Sequence, residues 1–298
     1  MVTSSRLASL LGLGILAATL AGLNLSHPSV EIPVQPIDGV ILGSSNLLQS
    51  IDCEQLSAET DGKTWWNLSQ RGLVGVELFA VAEDLIEQHP PEILVFEVIG
   101  DPVGGFRSDW RKATCVSAAD FISAMKHQQS TAYSKAVVFA EHLAMRATHG
   151  LHALIREESP RVVHPTGQIS PSTRGWQVTG AADSTWLEQL RSAEIAARKA
   201  ISGNTPSKNC QLVPSHLQQL QILCDSHGVQ LIPVLQPASD CHGCIENIRK
   251  HFHNRLILLD GGLDPSPFST PAMMSDPRHL NATGAALVTR QLATELSR

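Results

Sequence analysis

Five short apolar runs punctuate the chain: Gly39 to Leu42, Lys63 to Leu68, Ile93 to Val98, Val229 to Leu235 and Leu256 to Leu259. Their apolar residues run together instead of alternating, which predicts strands buried on both faces, as in a parallel sheet. Gly72 to Gln88 repeats apolar residues at helical spacing and stops at His89-Pro90-Pro91, because the residue before a proline is driven out of the helical region. Pro214 to His227 is a second such segment, with Gly228 placed to cap its end. Strands alternating with helices predict a three-layer α/β/α domain around a five-stranded parallel sheet.

Right-handed crossovers then give the flavodoxin-like strand order 2-1-3-4-5. In such a sheet ligands bind beyond the carboxyl ends of the strands, where the order reverses between strands one and three. Ser44 and Ser45 follow the first strand and Asp101 follows the third, so the sequence puts reactive groups where that rule needs them. The stretch from about 106 to 212 exceeds any ordinary connection. Within it, Tyr133, Val137, Ala140, Ala144, Ala147, Leu151 and Ile155 recur at helical spacing, which predicts an amphipathic helix over Thr131 to Arg156. Pro160 to Val178 is polar, with Arg174-Gly175-Trp176 at its centre, and Asp183-Ser184 caps a further helix to about Ser202. This insertion reads equally as a helical hairpin packed on the sheet or as a lid beside the site.

Composition narrows the class without naming a chemistry. A hydrophobic content of 43% and a charged fraction of 17% are those of a globular protein. A net charge of −6 without a long basic run argues against a nucleic-acid partner. Leu7 to Leu23 is apolar and uncharged behind a single early arginine, Arg6. Residues 1–24 therefore read as a secretory signal, with Thr19-Leu20-Ala21 as a cleavage site, or as an uncleaved membrane anchor. Residues 25–36 are a Pro-containing spacer and 37–298 the α/β domain. The expected location is extracytoplasmic: periplasmic, secreted or membrane-anchored.

Six cysteines suit an oxidising compartment. Cys241-His242-Gly243-Cys244 is favoured as a local disulfide. A redox dithiol and half of a metal site completed by His251 and His253 stand as alternatives. The pairing of Cys53, Cys115, Cys210 and Cys224 does not follow from spacing. His142, His149 and His152 lie on the long helix without a repeating acidic partner and receive no role. Asp225 and His227 fall at a helix end, where an imidazolium favours the dipole.

The chemistry lies at the two ends of the domain. Ile41-Leu42-Gly43-Ser44-Ser45-Asn46 is a strand, a glycine turn and a serine opening a helix. Asp276-Pro277-Arg278-His279-Leu280-Asn281-Ala282-Thr283-Gly284 sets an acid three residues before a histidine, ahead of the last helix. A serine hydroxyl needs a base to take its proton and a carboxylate to orient that base. These blocks together resemble the SGNH (GDSL-type) hydrolases, across roughly residues 38–298. The resemblance implies Ser45 as nucleophile, His279 as base and Asp276 as its orienting acid.

Ser44 stands at the family's aspartate position and is the alternative nucleophile. Asn67-Leu68-Ser69-Gln70-Arg71-Gly72 resembles the second block, so the backbone N–H groups of Ser45 and Gly72 would form the oxyanion hole. Val98-Ile99-Gly100-Asp101 stands where the third block, G-x-N-D, belongs, with Gly100 in place of the donor asparagine. Either Asn46 or Arg107 supplies that donor, or the hole is impaired. The expected activity is hydrolysis or transfer of an ester acyl group, on a small ester or an acylated carbohydrate of the cell envelope. No cofactor and no metal are expected, and the N-terminal segment provides membrane contact if uncleaved. The rival readings are a non-catalytic envelope protein of this fold that binds polymer or a protein partner, and a thiol or metal protein centred on Cys241 and Cys244.

Overall fold

The computed structural model describes residues 37–69, 76–99, 122, 132–156, 212–236, 245–252, 255–259, 266–276 and 279–298. Five strands form one all-parallel sheet: β1 (Gly39–Leu42), β2 (Trp65–Asn67), β3 (Ile93–Glu97), β4 (Gln230–Leu235) and β5 (Ile257–Leu258). Their order is β2-β1-β3-β4-β5, the flavodoxin-like order expected from the sequence, with helices on both faces. β1 coincides with the apolar run that announced it, and the other four strands lie inside theirs, shorter by one to three residues. The helices among the described residues are α1 (Ser45–Ser50), α2 (Cys53–Glu59), α3 (Val76–Gln88), α4 (Ala132–Arg156), α5 (Leu212–His227), α6 (Ile245–Phe252) and α7 (Ala282–Leu296).

Sheet register brings the first and third strands side by side, with Leu42 opposite Phe96. The strand ends that carry Ser44 and Glu97 are therefore neighbours, at the point where strand order reverses. Pro233 interrupts a central strand yet costs no ladder bond. Backbone bonds place Gln230 and Val234 toward β3, so Pro233 faces the β5 side, one residue before that pairing begins at Val234. At the end of α5, Gly228 adopts a φ of +72°. That left-handed turn lets the amide of Val229 close onto the carbonyl of Cys224 at 2.9 Å, the cap the sequence predicts.

One core joins the sheet to the end of the chain. Ile41, Leu47, Trp65, Val95 and Ile232 are buried with Met274, Leu280, Val288 and Leu292. Burying a side chain of this size is worth about 1.5–3 kcal/mol, so the last helix and the turn before it are held by several such contributions. α7 packs against α1 and α2, and Thr289 Oγ1 accepts the amide of Asp52 at 3.0 Å at their junction.

The chain divides into two compact units, one with Val103–Pro165 and the other with Pro33–Pro102 and Thr166–Arg298. α4 belongs to the first and the sheet to the second. α4 is the helix expected over Thr131 to Arg156, but the first part of its apolar stripe is not its buried face. Tyr133, Val137, Ala140 and Ala144 are exposed, while His142 and Arg146, one turn apart, are buried. A face rich in alanine carries too little apolar area to decide a helix's orientation. The helix expected from Asp183-Ser184 to about Ser202 lies outside the described residues. Among the described residues no helix is long and apolar enough to cross a membrane, and Leu7 to Leu23 lies outside them.

Candidate active site

Gly43 ends β1 and turns the chain into α1. A Cβ at this position would stand 2.5 Å from Glu97 Oε2 and 2.8 Å from Glu97 Cβ, so the turn has to be a glycine. Ser44 caps α1: its side chain accepts the amide of Asn46 at 3.2 Å. Ser45, the first helical residue, is half-buried, whereas Ser44 is sealed at 6% exposure. The two serines named by the sequence are thereby separated in role. Ser44 Oγ is taken up by the cap and by the Glu97 carboxylate, and Ser45 Oγ is turned to a histidine.

That histidine is His279. Its Nε2 lies 2.9 Å from Ser45 Oγ, across 234 positions of sequence. Its Nδ1 lies 2.6 Å from Asp276 Oδ2, and its backbone N–H donates to Asp276 Oδ1 at 3.0 Å. The carboxylate accepts from the ring and from the backbone of one residue, which fixes the imidazole's direction. With Asp276 as acceptor, Nδ1 carries the proton and Nε2 is left to accept the serine hydroxyl. The sequence placed Ser45, His279 and Asp276 together, and they meet here.

Local architecture explains why Asp276 and His279 converge. Met274 and Leu280 form an isolated antiparallel bridge, and the amide of Ser275 donates to the carbonyl of His279 at 2.8 Å. Both bridge residues are buried, so the loop between them is pinned at its stems. Asn281 completes the mount. Its Oδ1 accepts the amides of Thr283 and Gly284 as the cap of α7, and its Nδ2 donates to the carbonyls of Ala272 and Met274. A Cβ on Gly284 would meet the carbonyl oxygen of Met273 at 2.5 Å. The Leu-Asn-x-x-Gly block after the histidine is thus a cap, a tether and a close approach.

The sequence reading missed Glu97, the last residue of β3. It is 1% exposed. Its Oε2 accepts the backbone N–H of Ser44 at 2.5 Å, and its Oε1 accepts Asn46 Nδ2 at 3.3 Å. Burial pushes its carboxyl above the ordinary carboxylate range, against the opposing pull of the Ser44 and Asn46 bonds and the charge of His279. The signal was a lone carboxylate in an otherwise apolar, doubly covered run, since ionisable side chains are almost never fully buried without partners. A second strand end adds Gln236, fully buried, whose Nε2 lies 3.3 Å from Ser50 Oγ. Ser50 Oγ donates in turn to the carbonyl of Asn46 at 2.6 Å.

The remaining candidates divide differently. Gly72, Gly100, Asp101 and Arg107 lie outside the described residues. Asn46, offered as a substitute oxyanion donor, directs its amide to Glu97. The Ser45 backbone N–H makes no hydrogen bond among the described residues. Asn67 and Ser69 of the second block are structural: Asn67 Nδ2 donates to the carbonyls of Leu47 and Ile51, and Asn67 Oδ1 accepts the amide of Ser69.

His251, a candidate metal ligand, bonds Gln218 through Nδ1 at 2.7 Å. Cys241, Cys244 and His253 lie outside the described residues, as do Cys115 and Cys210. Among the described residues no cluster of three or more His, Cys, Asp or Glu could hold a metal ion. Cys224 is a buried thiol, pushed up to about 12 chiefly by burial. His227 Nδ1 approaches the carbonyl of Leu223 at 3.1 Å, at the carboxyl end of α5. No protein-family model matches the chain, and a search of curated proteins finds no match.

Proposed function

We propose that this protein is an SGNH-type serine esterase or acyltransferase. The observation that carries the reading is the unbroken relay from Ser45 Oγ through His279 to Asp276, at the carboxyl edge of the sheet where its order reverses. In the first half-reaction Ser45 Oγ attacks the ester carbonyl while its proton passes to His279 Nε2. Asp276 stabilises the imidazolium that forms. The tetrahedral intermediate collapses, the C–O bond to the alcohol breaks, and His279 returns the proton to the departing alkoxide. Water, or an acceptor hydroxyl in transfer, then attacks the acyl-serine as its proton passes to His279, the C–O bond to Ser45 Oγ breaks, and His279 returns the proton to the serine.

The Ser45 N–H is the donor available to the oxyanion within the described residues, and Gly72 N–H is the second donor implied by the resemblance. The substrate class, O-acyl groups on an envelope carbohydrate, rests on that resemblance together with the export signal read in Leu7 to Leu23. On the same ground the protein works outside the cytoplasm. The non-catalytic reading draws on one specific feature, Gly100 in place of a donor asparagine. Loss of one such donor costs about 2.7–4 kcal/mol of transition-state stabilisation, which slows an esterase without abolishing it.

A fluorophosphonate probe decides between the two. It should label the purified chain at Ser45, and Ser45→Ala and His279→Ala should both be unlabelled. Labelling at Ser44 would move the nucleophile. No labelling of the wild type would sink the esterase reading.

A further inference from the structure

We propose that Glu97 is a positioning residue for the nucleophile: its carboxylate clamps the Gly43–Asn46 turn so that Ser45 Oγ stays against His279. The catalytic meaning of this role rests on the esterase reading, whereas the clamp itself does not.

Three independent observations converge on it. The carboxylate spans the turn, with one oxygen on the Ser44 backbone N–H and the other on the Asn46 side chain. Ser45 lies between these two anchors, so its Cα has little freedom to move along the turn. The space for the carboxylate is reserved by Gly43, where any Cβ would collide with Glu97. And the strand pairing is fixed beneath it, with Leu42 beside Phe96 and Glu97 beside Val234. The clamp thus grows from a central strand, paired on both sides, and not from a loop.

The need for a clamp follows from where the base comes from. Ser45 sits on a helix of six residues, and His279 sits on a loop near the other end of the chain. A reacting pair held by separate elements loses about 100-fold in rate for a displacement near 1 Å. Asp276 fixes the histidine side of the pair. Glu97 fixes the serine side. The site therefore uses two carboxylates, one for the orientation of the base and one for the position of the nucleophile. Only the first touches the proton relay.

The test compares the wild-type chain with Glu97→Gln, Glu97→Leu and Asn46→Ala, by turnover of p-nitrophenyl acetate and by the ring nitrogen NMR shifts of His279. Glu97→Leu should lower kcat about 100-fold with KM within about twofold of wild type. Its Nε2 signal should move to the position seen in Ser45→Ala, while the Nδ1 signal reporting Asp276 stays. Glu97→Gln keeps an oxygen to accept the Ser44 N–H and should hold kcat within about tenfold of wild type. Should Glu97→Leu fail to fold, Asn46→Ala removes the half-buried arm alone and should shift Nε2 and kcat in the same direction by less. A folded Glu97→Leu with wild-type kcat and Nε2 signal overturns the proposal. So does an unfolded Glu97→Leu together with an unchanged Asn46→Ala. A wild type inert to ester and probe sinks the esterase reading instead, and the Nε2 comparison still decides the clamp.

Discussion

At the scale of single residues, Ser44 and Ser45 show how adjacent, identical side chains acquire different chemistry. Ser44 has extended backbone angles and folds its hydroxyl back onto the amide of Asn46, the geometry of a helix cap. Ser45, one position on, projects from the first turn and meets His279. Ser44→Ala should therefore cost about 1 kcal/mol of stability from the lost cap and leave the labelled position unchanged, as urea titration and probe labelling would report. Ser45→Ala should remove turnover altogether. Asp276→Asn should keep the fold and lose up to about 10⁴-fold in kcat, because the amide can no longer hold the Nδ1–H tautomer. Steady-state kinetics on one acetyl ester distinguish these outcomes. Gly43→Ala should behave unlike either serine variant. Its methyl would have the Glu97 side chain, down to its Cβ, and Leu47 Cδ1 as near neighbours, so overpacking of about 1–3 kcal/mol is expected together with loss of labelling. Cys224, by contrast, should stay unalkylated by iodoacetamide at pH 8 in the native protein, since its thiol is buried and its thiolate scarce.

The elements divide into those that form the sheet and those that mount the base. β1 and β3 bring Ser44 and Glu97 to one edge, and α7 with its preceding bridge brings His279 to the same edge from the chain's far end. Asn281 ties the mount together through polar bonds that its apolar neighbours do not make. One side chain caps two amides of α7 and tethers two carbonyls of the turn before it. Asn281→Ala removes the cap, worth about 0.5–2 kcal/mol, and strands buried carbonyls at about 1–3 kcal/mol. Leu280→Ala leaves those bonds in place but opens the core, at about 2–5 kcal/mol. Chemical denaturation should find both variants destabilised. The Asn281 variant should also lose more turnover per kcal/mol lost, because it frees the loop that holds Asp276 and His279. Equal activity loss at equal stability loss would show that the mount is merely part of the core.

For the whole molecule, the buried Glu97 couples the site to pH. A carboxyl whose affinity for its proton rises on folding makes the native state the better proton binder. Its contribution to stability is fully present below the unfolded value, about 4.3, and is lost as pH rises through the higher folded value. The stability of wild type relative to Glu97→Gln should therefore be greatest in acid, decline above about pH 4.3, and level off once Glu97 is ionised in both states. β1, β4 and α1 bring no titratable side chain against this carboxylate, and a protonated His279 would oppose its shift. Urea midpoints for both proteins across pH 4 to 8 measure the difference. A difference that grows with pH would mean that the Ser44 and Asn46 bonds outweigh burial.

The sequence by itself determined the sheet. Its strands are continuous apolar runs, and five such runs separated by helical patterns leave one economical parallel order, 2-1-3-4-5. It also carried the residues of the candidate relay, because a serine after the first strand and a D-x-x-H before the last helix are local patterns. It did not carry the choice between Ser44 and Ser45, which depends on backbone angles set by the turn. Nor did it carry the buried face of α4, where alanines leave the hydrophobic pattern too weak to orient a helix and His142 and Arg146 lie inward. Glu97 is the clearest case of what tertiary structure alone decided. Read along the chain it is one charged residue closing an apolar strand. Only the pairing of β1 with β3 puts its carboxylate under the Ser44 amide and makes Gly43 obligatory, since a contact between residues 53 positions apart leaves no trace in local periodicity.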